Sequence, residues 1–306
     1  MSETVPQQFG DLVQPFQIEA LGIRGRLVRL SDSLDTAIKA HGYPPAVVGL
    51  LAETMTLAVT LSAALKYEGV FILQTEGDGP VKMLVADVTS EGGLRGYARF
   101  DEEQVAVAQG NVGGEVPRLL GAGHLAFTVD QGPDTERYQG ITELVGATIA
   151  ECAQAYFRQS EQMETAISLC AAPIKAGESP RAAALVVQRL PSGEEGTIAR
   201  DDDDEAWRRA VVLMSSITAG ELLDPSLTPS EILYRLYHED GVRVYRQKTI
   251  EHSCRCSRER VARTLASFPR DEIDAMSEGG QVAVTCEFCM AEYVFDDGQL
   301  DDLFAD

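Results

Sequence analysis

The chain reads Cys254-Arg255-Cys256 and, after residues 257–285, Cys286-Glu287-Phe288-Cys289. Two closely spaced thiol pairs on a segment that can fold back on itself can surround one tetrahedral ion. Zinc is the ion that best suits four thiolates in a cytosolic protein. The sequence therefore predicts a Zn²⁺ site whose ligands are Cys254, Cys256, Cys286 and Cys289.

The chemistry of these four cysteines leaves two roles open, an inert structural staple and a redox trigger. Metal-ligating sulfur is thiolate, and thiolate is the form that oxidants attack. Because most Cys₄ zinc sites are structural, the residues alone favour the staple. His252 is a nearby competitor, but four thiolates complete the set, which puts His252 beside the ligands or on the surface. Cys152 and Cys170 stand in apolar contexts typical of buried small side chains.

The residues around the two pairs predict a small lobe. Residues 258–268 have helical spacing, with Val261, Leu265 and Phe268 on one side. Gly279-Gly280 indicates a turn into a strand at residues 282–284, which pairs with residues 293–295. Such a lobe has too little core to fold alone, so the metal supplies folding free energy.

Composition indicates an ordinary globular protein with an acidic surface. The 306 residues are 44% hydrophobic and 24% charged, and 26 basic against 48 acidic residues give a net charge of −22. This charge repels nucleic acid and anionic lipid, so neither is expected as a partner. Residues 1–16 have no targeting signature, and the apolar run 46–65, interrupted by polar residues, is typical of a buried helix. We expect a cytoplasmic protein with no membrane association.

The first 178 residues predict an α+β core domain. Strand patterns at 70–74 and 81–88 flank the turn Gly77-Asp78-Gly79-Pro80. Three further strands are predicted at residues 94–100, 124–130 and 163–170, and helices at 54–65 and 144–157. Hairpin-connected strands with a few helices favour a mostly antiparallel sheet with helices packed against it.

Residues 179–240 predict a helical linker, and residues 241–306 the zinc-binding, redox-sensing domain. The linker begins with a last strand at 182–187. Its apolar residues then recur at helical spacing, which predicts one amphipathic helix over 205–223: Trp207, Ala210, Val211, Met214 and Ile217. The acidic block Asp201–Asp204 suits the start of that helix. Thr228-Pro229-Ser230-Glu231 predicts a capping box for a second helix. The apolar faces of both helices need a partner surface.

Motifs along the chain resemble the 33-kDa heat-shock redox-regulated chaperone family. The likeness runs from about residue 25 to 304 and includes both cysteine pairs, Gly77-Asp78-Gly79-Pro80-Val81, Leu94-Arg95-Gly96-Tyr97-Ala98-Arg99, Phe127-Thr128-Val129-Asp130-Gln131-Gly132, Tyr138-Gln139-Gly140-Ile141, Ser160-Glu161-Gln162 and Tyr234-Arg235-Leu236. Two departures fall before and within the linker, at Ala176-Gly177-Glu178 and in the acidic block.

The resemblance implies a stress-activated holdase that uses no ATP and binds unfolded or partly folded client proteins. It implies that the reduced, zinc-bound form is inactive. On oxidation it implies disulfides Cys254–Cys256 and Cys286–Cys289, loss of zinc, unfolding of the lobe and linker, and exposure of apolar surface such as Trp207, Val211 and Met214. It also implies a homodimer on activation.

Two other functions remain as alternatives. One is an enzyme with a zinc-stapled lobe, although the sequence contains no phosphate loop, His-Glu-x-x-His or Gly-x-Ser-x-Gly motif and a four-cysteine site leaves zinc no open position. The other is a nucleic-acid-binding zinc ribbon, which the net charge of −22 disfavours. We therefore expect a protein that is not an enzyme.

Overall fold

The structure is a computed structural model that describes residues 9–108, 113–132, 135–161, 163–173, 178–190 and 203–304. The strands in these residues are β1 Leu12–Ile18, β2 Ile23–Leu30, β3 Val70–Gly77, β4 Val81–Thr89, β5 Gly93–Phe100, β6 Gly123–Asp130, β7 Tyr138–Glu143, β8 Thr165–Ala171, β9 Ala182–Arg189, β10 Val242–Val244, β11 Lys248–Thr249, β12 Glu251–His252, β13 Gln281–Thr285 and β14 Glu292–Asp296. The α-helices are α1 Asp32–Ile38, α2 Pro45–Ser62, α3 Glu102–Ala108, α4 Ile149–Tyr156, α5 Asp203–Ser215, α6 Ala219–Leu222, α7 Pro229–Tyr237, α8 Arg258–Leu265, α9 Arg270–Ala275 and α10 Asp297–Leu303.

The chain forms two compact units, Met1–His252 and Ser253–Asp306. Residues 242–252 belong to the first unit because β10 and β11 pair with β1 and β12 pairs with β5. The division into a core domain 1–178, a linker 179–240 and a redox domain 241–306 is a division by function, and it stays a prediction.

Two six-stranded sheets form the first unit, and the predicted α+β class is confirmed. One sheet has the order β10-β1-β2-β9-β8, with β11 also on β1, and the other has the order β12-β5-β4-β3-β6-β7. All pairs are antiparallel except β12 with β5. The predicted strands at 70–74, 81–88, 94–100, 124–130, 163–170 and 182–187 all form. β1 and β2, which the sequence reading missed, complete the first sheet.

Helix α2 is the centre of the main core. It carries fourteen buried residues and packs against strands of both sheets. By length and composition it could cross a membrane, but 78% of its apolar window is buried inside the protein. Its threonines satisfy their hydroxyls on the backbone four residues earlier, as Thr56 does on Ala52 at 2.7 Å. This arrangement lets polar side chains lie in an apolar core.

Strand β9 separates two cores because it is buried on both faces. Ala182, Ala184 and Val186 face the α2 core. Ala183, Leu185 and Val187 face a second core on the other side of the sheet. Side chains of a strand alternate between faces, so a continuous apolar run is the pattern expected of a strand covered on both sides.

The linker helices cover this second face of the first sheet. Ala210 and Met214 of α5 and Ile232 and Leu233 of α7 are buried there, while Trp207 packs partly buried against the same cluster. The partner surface that the amphipathic pattern requires is therefore the sheet formed by β1, β2, β9 and β8.

The predicted single helix over 205–223 is wrong, because the chain forms α5 and α6 separated by a break. Thr218 is extended (φ −93°, ψ 156°) and its hydroxyl accepts the backbone N–H of Glu221 at 3.2 Å. The Glu221 carboxylate accepts the N–H of Thr218 at 3.0 Å. This capping box begins a new helix and so ends the old one. The predicted box at Thr228 and Glu231 is confirmed at the start of α7.

An arginine of β2 fastens the linker to the sheet. The guanidinium of Arg29, a residue only 2% exposed, donates to the backbone oxygens of Leu222 at 2.9 Å, Leu227 at 2.5 Å and Glu221 at 3.3 Å. Burial lowers the pKa of Arg29 to about 10, and the Asp224 carboxylate offsets part of that effect. These three hydrogen bonds, here called the Arg29 clamp, therefore satisfy backbone oxygens at the end of α6 and in the turn that leads to α7.

The second unit has a small core of its own. Its buried apolar residues among the described ones are Leu265, Ile273, Val282, Phe295 and Leu300. β13 and β14 pair as predicted after the turn at Gly279 and Gly280, both with positive φ. The predicted helix over 258–268 ends earlier, at Leu265, and Phe268 is 47% exposed.

Some sequence predictions lie outside the described residues. They are Asp201, Asp202 and the side chain of Asp203 in the acidic block, and the departure at Ala176-Gly177. Gln162 of the motif Ser160-Glu161-Gln162 lies outside them as well.

Replacing Arg29 by Met should loosen the linker, since three backbone oxygens lose a charged donor. We expect a loss of about 2 kcal/mol in the free energy of unfolding of the first unit and faster amide exchange in residues 219–237. Urea unfolding and hydrogen-exchange mass spectrometry measure both. Arg243→Met, at an exposed arginine of β10, is the matched control, and equal effects of the two variants would contradict the clamp.

Glu53 of α2 should make the stability of the first unit depend on pH. Burial raises the pKa of Glu53 from its ordinary 4.5 to about 8, and the Glu115 carboxylate adds to the shift. The folded state therefore holds a proton that the unfolded state releases, so stability falls as pH rises from about 4.5 to about 8. Glu53→Gln should be more stable than the parent at pH 8.5 and closely similar at pH 4.5. Urea unfolding at both values tests this, with exposed Glu103→Gln as control; a pH-independent difference contradicts it.

Candidate metal centre

The first cysteine pair lies between a strand and a helix. Cys254 follows β12 by one residue, and Cys256 immediately precedes Ser257, the N-cap of α8. The Ser257 hydroxyl accepts the backbone N–H of Arg260 at 3.3 Å, which fixes where the helix begins. A thiolate near a helix N-terminus is favoured by the helix dipole.

The second pair lies in a tight turn between β13 and β14. The backbone N–H of Met290 donates to the oxygen of Cys286 at 2.8 Å, and the N–H of Cys286 donates to the oxygen of Ala291 at 2.9 Å. Met290 has φ 58°, which makes it the one described non-glycine residue in the left-handed region. The turn brings the Cys286 and Cys289 thiols to the same side of the loop.

The four sulfurs converge at one point. All four lie within 4.8 Å of one another. The Sγ–Sγ distances are 3.4 Å for Cys254–Cys256, 3.8 Å for Cys254–Cys286 and 3.4 Å for Cys256–Cys289. In a tetrahedral site with zinc–sulfur bonds of about 2.3 Å, the sulfurs lie about 3.8 Å apart. The donor set and its spacing therefore fit a metal ion of this size.

The pKa shifts of two cysteine thiols in the cluster favour the binding of a cation. Burial raises the pKa of the Cys286 and Cys289 thiols, while backbone N–H groups of Phe288 and Ala291 lower it in part. A bound Lewis acid would offset both this desolvation and the repulsion between four thiolates. The cluster therefore has the donors of a metal site, and a bound cation would stabilise them as thiolates.

Tyr293 is an outer partner of the cluster that the sequence reading did not assign. Its hydroxyl, on β14, donates to Cys256 Sγ at 3.1 Å. This bond raises the pKa of Tyr293 to about 12, because a phenolate could not donate. The available signal was its position four residues after Cys289, on the strand that leaves the turn.

The charged residues near the thiols have other contacts. Arg258 lies over the ring of Phe295, 4.2 Å from its centroid, and donates to Gln299 at 2.7 Å. Arg260 donates to the backbone oxygen of Arg255 at 2.9 Å. These contacts tie α8 to α10 and to the first cysteine loop, so they support the geometry of the site.

The remaining candidate residues belong to the first unit. His252 lies in β12 opposite Leu94, and burial lowers its pKa. Cys152 is fully buried in α4, and Cys170 is half-buried in β8. Burial raises the pKa of both thiols to about 11, so they stay protonated and unreactive near neutral pH.

Sequence comparison finds strong similarity over almost the whole chain. The sequence model of the Hsp33 protein family matches residues 11–296. The 33 kDa chaperonin of Caulobacter vibrioides is 41% identical over 290 residues, which cover 94% of this chain and 95% of the relative. The 33 kDa chaperonin of Pseudomonas fluorescens SBW25 is 36% identical over 299 residues, with 96% and 94% covered.

A solved structure shows the same fold. The crystal structure of the 33 kDa chaperonin (heat shock protein 33 homologue) of Thermotoga maritima matches with a TM-score of 0.80. The match covers 96% of this chain and 98% of that one at 23% sequence identity. At this identity the likeness speaks for the fold.

Tyr293→Phe should weaken metal binding, since the Cys256 sulfur loses its hydroxyl donor. Partners of this kind contribute about 10- to 100-fold to metal affinity, and we expect a loss of about tenfold for zinc. Competition with a chromogenic chelator measures it. Tyr245→Phe, whose hydroxyl donates to Gln17 in the other unit, is the control. Unchanged affinity in Tyr293→Phe would show that the bond is incidental.

Proposed function

The chain belongs to the Hsp33 family, and on that premise we propose that it is a redox-regulated chaperone that holds unfolding proteins without ATP. The family supports a chaperone function and is not an enzyme family. The observation that carries the proposal is the convergence of four sulfurs within 4.8 Å in a unit with a small core.

The proposed switch starts from thiolates at the four-cysteine site. We propose Zn²⁺ as its metal, held by Cys254, Cys256, Cys286 and Cys289. Each pair of thiolates gives two electrons to one peroxide molecule, an S–S bond forms, and the peroxide becomes two hydroxide ions. The proposed pairs are Cys254–Cys256, whose sulfurs are 3.4 Å apart, and Cys286–Cys289.

Oxidation should unfold the second unit. Disulfide sulfur no longer ligates, so the folding contribution of the metal is lost, on the order of 10 kcal/mol for small zinc domains. That loss is comparable with the whole stability of a typical domain, about 5–15 kcal/mol. The apolar core around Leu265, Ile273 and Phe295 buries too little surface to compensate for this loss of folding free energy.

Linker release is the proposed second step. The linker is followed in the chain by β10, β11 and β12. Strand β12 ends at His252, and Cys254 comes two residues later. Loss of order beyond His252 removes the restraint at that end of the segment. If α5, α6 and α7 then leave the sheet, their apolar sides and the strand face beneath them become accessible.

The surface released in this way suits an unfolding client. It comprises the buried side chains of β1, β2 and β9 that now face the linker, among them Phe16, Leu27 and Leu185. On the linker side it adds Trp207, Val211 and Met214. A contiguous apolar surface of this kind binds exposed apolar segments of other chains. We propose unfolded or partly folded proteins as partners, a cytoplasmic location and a homodimer on activation.

The net charge of −22 supports two further parts of the proposal. It disfavours nucleic acid as a partner, and it helps to keep a complex with an unfolded client in solution. The closed Cys₄ donor set favours a non-catalytic role, because no ligand position is left for substrate or water.

Peroxide treatment of the purified, zinc-loaded protein at raised temperature tests the switch. We expect release of one zinc per chain, loss of helical circular dichroism, and suppressed aggregation of a thermally unfolding client enzyme without ATP. Peptide mapping should find the two proposed disulfides. Equal protection by the reduced form, or retention of zinc after oxidation, would overturn the proposal.

Two sets of variants locate the effect in the cluster. Cys286→Ser removes one ligand and should show partial activity without oxidant. The pair Cys152→Ala and Cys170→Ala should leave the response to peroxide unchanged, because both thiols are protonated. A Cys286→Ser variant as inactive as the reduced parent would count against metal-dependent restraint.

A further inference from the structure

A cavity opens between the two sheets of the first unit. Its volume is about 330 Å³, within the range of about 300–1,000 Å³ typical of small-molecule sites. Phe71 and Phe127 come from one sheet, Arg24 and Gln188 from the other, and Leu61 from α2.

One wall of the cavity is aromatic. The rings of Phe127 and Tyr156 have centroids 4.5 Å apart, and Phe157 meets Tyr156 edge-on at 5.6 Å. Leu61, Leu65 and other aliphatic side chains form the opposite side. Such walls accommodate an apolar body, either an acyl chain or an aryl ring.

The guanidinium of Arg24 lines this apolar cavity and makes few contacts with described polar groups. Its Nε is buried and has no hydrogen-bond partner among the described residues. Its only described side-chain hydrogen bond is a long one to the sulfur of Met163, at 3.9 Å, and it makes no ion pair with a described residue. The neighbouring Arg26 is already used, donating to the Ala63 oxygen and to Gln188. A guanidinium whose buried Nε has no acceptor among the described residues suits a carboxylate, which a guanidinium can bind through two parallel bonds.

The carboxylate that lines the cavity among the described residues, Glu161, is hydrogen-bonded to two tyrosines of the same lining. Glu161 accepts hydrogen bonds through Oε1 from the hydroxyls of Tyr138 and Tyr156, each at 2.7 Å. Tyr138 and Glu161 belong to the motifs Tyr138-Gln139-Gly140-Ile141 and Ser160-Glu161-Gln162, to which the redox switch gives no role. These bonds hold Glu161 at the two tyrosines, while Arg24 makes no ion pair with a described residue.

We propose that this cavity binds a small apolar carboxylate, with its acyl or aryl body against the aromatic wall and its carboxylate on Arg24. The inference goes beyond the chaperone function and does not depend on it. Ligands of this class combine one anionic group with a body that removes apolar surface from water.

Calorimetric titration of the reduced full-length chain with octanoate tests the proposal, at a dilution at which sedimentation shows a monomer. We expect saturable binding of one octanoate per chain. Arg24→Gln should weaken it about tenfold or more, because a charge-assisted bond is lost. Arg24→Lys should recover part of the loss, and exposed Arg243→Gln should bind as the parent does.

Two further arms make the result specific to the site. Octanamide and octylammonium keep the chain but lose or invert the charge, so both should bind much more weakly than octanoate. Leu65→Trp, at a rim residue that is 45% exposed, should block octanoate without disturbing the core. Absence of saturable binding, equal binding of octanamide, or unchanged binding by both Arg24→Gln and Leu65→Trp overturns the proposal.

Discussion

Four sulfurs within 4.8 Å of one another are the constraint on which the rest of the second unit depends. The loop before α8 and the turn between β13 and β14 have few apolar residues of their own, and five buried side chains make up the described core. Burial raises the pKa of the Cys286 and Cys289 thiols, and thiolates repel one another. A bound cation would offset both effects and would couple the fold of this unit to the chemistry of its cysteines.

The first unit is stable for a different reason, since its two sheets share the long buried helix α2 and bury a large core. Its second core is less self-contained, because half of it belongs to the linker. The linker is held by the apolar sides of α5 and α7 and by the hydrogen bonds of Arg29 to three backbone oxygens. An apolar sheet face under a helical cover is what the proposed switch would require.

Local patterns in the sequence were reliable where the interactions are local. The hairpin around Gly77-Asp78-Gly79-Pro80 formed as predicted, and so did the capping box at Thr228 and Glu231. The break between α5 and α6 was not predicted, although Thr218 and Glu221 carry the same capping signal. The apolar residues keep a helical spacing up to Ile217, and this spacing predicts one continuous helix. Strands β1 and β2 were missed because arginines at positions 24, 26 and 29 obscure the apolar pattern of β2.

The sequence by itself determined the four clustered cysteines with their close spacing in two pairs, the α+β class and most of the strands. Spacing, turns and caps act over a few residues. Only the tertiary structure decided that the linker helices cover β1, β2 and β9, that Arg29 reaches Leu222 across a separation of 193 residues, and that Arg24 faces an aromatic cavity. These contacts join distant segments through packing and buried hydrogen bonds, and no periodicity within either segment specifies its partner.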